Sequence, residues 1–236
     1  MVIVRKERLI LTSLNWDHHS IFYISVNLNL TSYQKDQTLN TILTTYSNSI
    51  KRYSSRLSEK DLDYWIKGLT ISTLNPKQFY IHANTLQKEI GYVHSGLLRA
   101  FYIDDKGHEI TVNFIREKNY ATYCTSLENP QPSKYNFQCI EPSVIINVPF
   151  NHIHDCINRF PELERYIRIA VEDIHRNMLI RMEGFLFDNA EKRYLNFISL
   201  YPDLYSRVSL SDLCTFLGIE RQSLTRIRKK IAQQTL

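Results

Sequence analysis

Between Ile71 and Pro149 the apolar residues recur at every second position, whereas on both sides of that block they recur every three or four. Period two sends alternate side chains to opposite faces of a pleated strand, and a period near 3.6 gathers i, i+3 and i+4 on one side of a helix. Strands collected in one run, with helices before and after, specify an α+β fold whose sheet part is antiparallel. Within the block, Ile90, Tyr92, Gly96, Leu98, Ala100 and Tyr102 sit in strand-like runs that end at the turn Asp104-Asp105-Lys106-Gly107. His108 to Ile115 is the partner strand, with Ile110, Val112 and Phe114 alternating. A polar, proline-containing loop follows from Glu128 to Ser133, then strands from Tyr135 to Ile140 and Val144 to Val148. Such closely spaced short strands predict a jelly-roll-like β-roll.

The flanks read as helices. Leu39, Ile42, Leu43, Tyr46 and Ile50 form one stripe within Thr38 to Lys67, and Ser58-Glu59-Lys60-Asp61 has the pattern of a second helix start. The longest helix runs from Pro161 to about Phe185, with Leu163, Ile167, Ala170, Val171, Ile174 and Met178 as its stripe. That stripe can cover the protein's own β unit or pair with the same helix in a second copy. Asp188-Asn189-Ala190-Glu191 is a capping-box pattern opening a helix through Leu200, and Tyr201-Pro202 stops it. The segment Gly184 to Asp188 is the expected hinge.

Val208 to Ile231 reads as two short helices around a tight turn. Ser209 caps the first with Asp212 three positions on, and Leu210, Leu213 and Leu217 form its stripe. Gly218 permits the left-handed backbone of a sharp turn. Leu224, Ile227 and Ile231 then face inward, leaving Arg221, Gln222, Thr225, Arg226 and Arg228 outward. An amphipathic helix with a solvated charged face is the bland alternative. Against it stand the small Cys214 at the helix crossing and the core spacing of Leu217 and Leu224 across the turn. Five cations also follow Glu220 without an acid, so the face is expected to lack internal partners and to suit phosphate. This is the layout of a helix-turn-helix that enters the major groove.

The net charge is only +5 over 236 residues, so the location of the cations matters more than their sum. The length allows one large domain or two small ones. Cys124, Cys139, Cys156 and Cys214 form no C-x-x-C pair, so free thiols in the cytoplasm are expected, without a zinc or iron–sulfur site or any cofactor. His152-x-His154, beside a proline-bounded turn, carries little weight as a metal site. No apolar run reaches a membrane span. Residues 1–38 read as an added arm, or as sequence upstream of a true start near Leu39.

The order β-roll, long helix, capped helix, helix-turn-helix resembles the Crp/Fnr family of bacterial transcription regulators over about residues 40–231. The resemblance is carried by Ser95-Gly96-Leu97-Leu98-Arg99-Ala100-Phe101-Tyr102 with its turn and Glu109-Ile110-Thr111-Val112, and by the run from Leu217 to Lys230. It implies a cyclic-nucleotide-binding-like roll over 39–160, a dimerisation helix and hinge over 161–187, and a helix-turn-helix domain over 188–236. It implies a homodimer on a palindromic operator in double-stranded DNA, with RNA polymerase as a further partner. Arg221 and Arg226 resemble the family's base-reading arginines, and Gln222 stands where many members carry glutamate. Ser223, Arg228, Lys229 and Lys230 suit phosphate contacts.

Departures from the family pattern bear on the effector. Thr122-Tyr123 replaces the Gly-Glu pair that holds ribose, and Ser133-Lys134-Tyr135 replaces the Arg-Ser or Arg-Thr that holds phosphate. Lysine lacks arginine's bidentate fork. With Asn177 and Met178 on the long helix, these residues outline a pocket for a small molecule other than cyclic AMP, or a roll that is purely structural. The chain ends at Leu236, so no full wing is expected after the second helix. A ligand-sensing or protein-interaction module with a non-DNA-binding helix-turn-helix is the competing function. An enzyme ranks third, because no nucleophile elbow, phosphate loop or carboxylate pair is present.

Overall fold

The computed structural model describes residues 32–53, 56–123 and 128–234. The arm through Thr31, Cys124 and the last two residues therefore lie outside the described residues. Helix α1 (Ser32–Tyr53) buries the expected stripe of Leu39, Ile42, Tyr46 and Ile50. Helix α2 (Glu59–Lys67) starts at Ser58, whose side chain accepts from the Asp61 amide while Asp61 accepts in return from the Ser58 amide.

Eight strands follow: β1 (Thr70–Leu74), β2 (Phe79–Ile81), β3 (Glu89–Ser95), β4 (Leu98–Ile103), β5 (Glu109–Ile115), β6 (Tyr120–Ala121), β7 (Asn136–Cys139) and β8 (Ser143–Pro149). They form two antiparallel four-stranded sheets, ordered β1-β8-β3-β6 and β2-β7-β4-β5. The β4–β5 hairpin turns at Asp104–Gly107, where Asp104 Oδ1 accepts from the amides of Lys106 and His108 and Gly107 has φ +83°. Val93, Leu98, Ala100, Ile115, Phe137 and Ile145 fill the core between the sheets. Ile71, Tyr92, Ile146 and Val148, on the other face of the first sheet, pack beneath α1 and α2.

Helix α3 (Phe150–Arg159) is an element the sequence reading lacks: His152 and His154, expected beside a proline-bounded turn, lie within it. Its buried residues Phe150, Ile153 and Cys156 do have helical spacing. Pro149 precedes it without a side-chain cap, so the usual start signal is missing. His152 Nε2 donates to the Trp65 carbonyl at 2.9 Å, a structural bond that ties α3 to α2.

Helix α4 (Pro161–Phe187) is continuous through Gly184, so of the segment expected as a hinge only Asp188 lies outside the helix, and it forms with Asn189 a two-residue extended link. The next cap also shifts by one residue. Asn189, not Asp188, accepts from the Lys192 amide to open α5 (Ala190–Leu200). Helix α6 (Leu210–Leu217) is capped by Ser209 and closed by Gly218 at φ +61°, and α7 (Arg221–Gln234) ends the described chain. Among the described residues no helix is long and apolar enough to cross a membrane.

Candidate nucleic-acid interface

Helix α7 is held by one side. Leu224 is fully buried, with Ile227 and Ile231 packed beside it against Leu213, Leu217 and Ile219. Burying one such leucine contributes about 2 kcal/mol, enough to fix which face of α7 looks outward. The Gly218 turn is tight because an added Cβ would lie 2.8 Å from Phe185 Cε1 of α4, and because its φ disfavours L side chains.

The outward face carries Arg221, Gln222, Thr225, Arg226 and Lys229, all exposed. Among the described residues, Arg221, Arg226 and Lys229 make no ion pair. Arg226 Nη2 donates only to the Ser223 hydroxyl at 3.4 Å, and Thr225 Oγ1 donates to the Arg221 carbonyl at 2.9 Å. The expectation that the whole face lacks partners needs correcting at two positions. Lys230 Nζ pairs with Glu191 of α5 at 2.8 Å, and the Arg228 guanidinium lies 4.9 Å from the Tyr205 ring and donates to its hydroxyl. The acid that binds Lys230 lies far upstream, where a search of the helix itself does not reach. No acid occupies the first turn of α7, but Glu220 immediately precedes it, its carbonyl accepting the first helical bond from the Leu224 amide at 2.9 Å, so an acid of the chain already stands at the positive end of the dipole.

The helix-turn-helix also rests on its own roll, through residues that the sequence did not single out as functional. Arg99 on β4 is only 7% exposed and bonds to both Glu109 of β5 and Asp212 of α6. Thr215 Oγ1 of α6 donates to Thr111 Oγ1 at 3.0 Å and accepts from the Thr111 amide at 3.2 Å. Arg207, before α6, donates to Glu117 at 2.8 Å and to Glu141 at 2.7 Å, which pushes its own pKa up. Phe114 and Leu97 of the roll complete an apolar cluster with Leu213 and Leu217. A lone arginine within the apolar run of β4 was the available signal, since a buried charge requires partners.

The residues expected around an effector separate into two groups. In the roll, Tyr123 and Tyr135 meet edge to face at 5.4 Å. Ser133 is buried and closed on its own loop, donating to the Tyr135 carbonyl at 2.7 Å and accepting from its amide at 3.1 Å. Lys134 is exposed. Gln87 Oε1 accepts from the Tyr123 amide at 2.8 Å, so that backbone donor is already engaged. Asn177 and Met178 are exposed on α4, and Asn177 lines a cleft toward α5 and α6.

The expected dimer stripe also divides. Leu163 is fully buried and Ile167 packs against the same core, so Leu163 is unavailable to a second copy. Ala170 and Ile174 are half-buried, while Val171 and Met178 are 58% and 67% exposed. The stripe is one line along the helix, but its first turns cover the roll and its later turns face outward.

No family model and no curated protein sequence matches the chain. Solved structures do. FixK2 from Bradyrhizobium japonicum superposes with a TM-score of 0.61 at 12% identity, over 71% of this chain and 86% of that one. The c-di-GMP-responsive global regulator CLP of Xanthomonas campestris gives 0.59 at 11% identity, over 76% and 94%. A protein from Eubacterium rectale assigned to the crp/fnr family of transcriptional regulators gives 0.58 at 13% identity, over 76% and 86%. The chain has a Crp/Fnr-like fold, α+β, with a β-roll followed by a helical C-terminal part.

Proposed function

We propose that this protein, sharing its fold with Crp/Fnr regulators, is a sequence-specific DNA-binding transcription regulator that acts as a homodimer on a palindromic operator. The observation that carries the reading is the state of α7. Arg221 and Arg226 are exposed and make no ion pair among the described residues, on a helix whose opposite face is pinned by the buried Leu224. Arginine donates a bidentate pair to guanine, and glutamine at Gln222 pairs with adenine. Lys229 suits phosphate, which positions the helix without reading sequence. Dimerisation brings two such helices to half-sites about one duplex turn apart, and the exposed side of α4 at Val171 and Met178 suits that role. Domain limits at 39–160, 161–187 and 188–236 belong to this proposal.

The test is a gel shift with DNA from upstream of the protein's own gene, with Arg221→Ala and Arg226→Ala as controls. Retarded DNA that both variants release supports the reading. Retardation unaffected by either variant, or none at low salt, overturns it.

A further inference from the structure

Where the C-terminal half of α4 meets α5 and α6, a cleft opens with about 490 Å³ of empty space counting its mouth. Its walls are mostly apolar, with Ile180, Phe185, Phe197, Leu200 and Leu217 among them. Arg181 enters this setting with unspent hydrogen-bonding capacity. Among the described residues its Nη1 is buried without a hydrogen-bond partner, and its Nη2 makes only a long 3.4 Å bond to the Thr111 carbonyl. The guanidinium lies 4.0 Å from the Phe216 ring centroid and 5.1 Å from that of Phe185, so aromatic faces hold it but satisfy none of its donors. Burial without a counter-ion lowers its pKa to about 10, which still leaves it charged at neutral pH.

The other charged groups of the cleft are spent. Arg193 donates to the carbonyls of Leu217 at 2.9 Å, Asp188 at 2.7 Å and Gly218 at 3.3 Å. Asp188 is paired with Lys192 at 2.7 Å and accepts from Asn196 Nδ2 at 2.9 Å. An incoming anion would therefore meet Arg181, a second positive charge on Arg193 whose guanidinium is held by backbone carbonyls, and one neutralised acid.

We propose that this cleft is a binding site for a small organic monocarboxylate with an apolar, single-ring body, and that Arg181 takes the carboxylate. A carboxylate matches the planar fork of arginine and supplies the counter-ion that Arg181 lacks among the described residues. The apolar walls favour a ring over a hydrated ion. The site is separate from the roll residues Tyr123, Ser133, Lys134 and Tyr135, and it does not depend on the DNA-binding reading.

Isothermal titration of the full chain with benzoate and phenylacetate tests the site, with benzamide as the neutral isostere and inorganic phosphate as the competing anion. Expected are saturable binding of at least one acid, at least tenfold weaker binding of benzamide, and at least tenfold loss in Arg181→Gln. Leu200→Trp, at a half-exposed cleft position that keeps Arg181, should abolish binding by filling the space. It decides the matter alone if circular dichroism finds Arg181→Gln unfolded. No saturable binding by either acid overturns the proposal. So does benzamide binding as well as benzoate, phosphate binding in place of both acids, or undiminished binding by Leu200→Trp.

Discussion

Arg99 and Asp212 are 113 residues apart in sequence, and their side chains meet where α6 sits on the roll. Asp212 serves two structures at once. Its amide donates to the Ser209 hydroxyl at 3.0 Å to cap α6, and its carboxylate accepts from Ser209 Oγ at 2.7 Å and from the nearly buried Arg99. Asp212→Asn keeps the shape but removes the charge that Arg99 faces. Breaking a buried pair costs about 3–5 kcal/mol, and since Glu109 remains beside Arg99 we expect roughly 2–3 kcal/mol here. Urea unfolding of wild type and variant measures it; a loss below about 0.5 kcal/mol would mean that the bridge contributes little.

The docking of the helix-turn-helix should weaken in acid. Glu117 is partly buried, which pushes its carboxyl up, but bonds from Arg207 and the Gly96 amide push it further down, to below its ordinary 4.5. A carboxyl held lower in the folded state contributes stability fully above its unfolded value and loses it as pH falls through its folded value. Thermal melts between neutrality and strong acid should therefore fall more steeply below about pH 4.5 for wild type than for Glu117→Gln. The comparison with the variant is needed because Asp104 and Asp155 are lowered too and add their own acid dependence. Equal slopes would remove Glu117 from the account.

These contacts mark the limit of what the sequence makes legible. Capping at Ser58 and Ser209, the Gly218 turn and the inward set Leu224, Ile227 and Ile231 are local, because each depends on neighbours within four residues. The Arg99–Asp212 and Arg207–Glu117 pairs depend on which surfaces the fold brings together, and no spacing rule reaches across 113 or 90 residues. The same limit explains Leu163. Periodicity identifies an apolar face but not its partner, so a stripe that covers the roll and a stripe that could meet another molecule look alike. On α7 it explains Lys230, whose partner Glu191 lies 39 residues upstream.

The cations of α7 should not contribute alike to DNA binding. Arg221→Ala and Arg226→Ala should each cost about 1–3 kcal/mol and relax base preference, as loss of a bidentate contact does. Lys229→Ala should weaken all sequences similarly and lower the salt slope by about one. Lys230→Ala should do less than Lys229→Ala, because Lys230 is already paired with Glu191 at 2.8 Å. Fluorescence anisotropy across a salt series ranks the four, and a Lys230 effect as large as that of Arg221 would contradict the order.

Gln222 is exposed near the start of α7, beside Arg221. A glutamine amide both donates and accepts, matching adenine, whereas glutamate only accepts and matches the cytosine amine. Selection of binding sites from a random pool should give Gln222→Glu a motif changed at one base position per half-site. An unchanged motif would show that Gln222 does not read a base.

Helix α4 leaves Val171, Met178 and Met182 exposed along one line of its outer side, spaced by seven and four residues. That spacing keeps them on one face of a helix, and an apolar line on water is what a paired helix requires. Met178→Glu places a charge in the middle of the line and touches no part of the core, since Met178 is 67% exposed. We expect it to convert a dimer to a monomer in sedimentation velocity while leaving the melting temperature of the roll unchanged. Leu163→Ala gives the converse. Its side chain is fully buried beneath the roll, so truncation should destabilise each subunit by about 2–5 kcal/mol and leave folded molecules able to pair. If Met178→Glu still sediments as wild type does, the outer face of α4 is not where two copies meet.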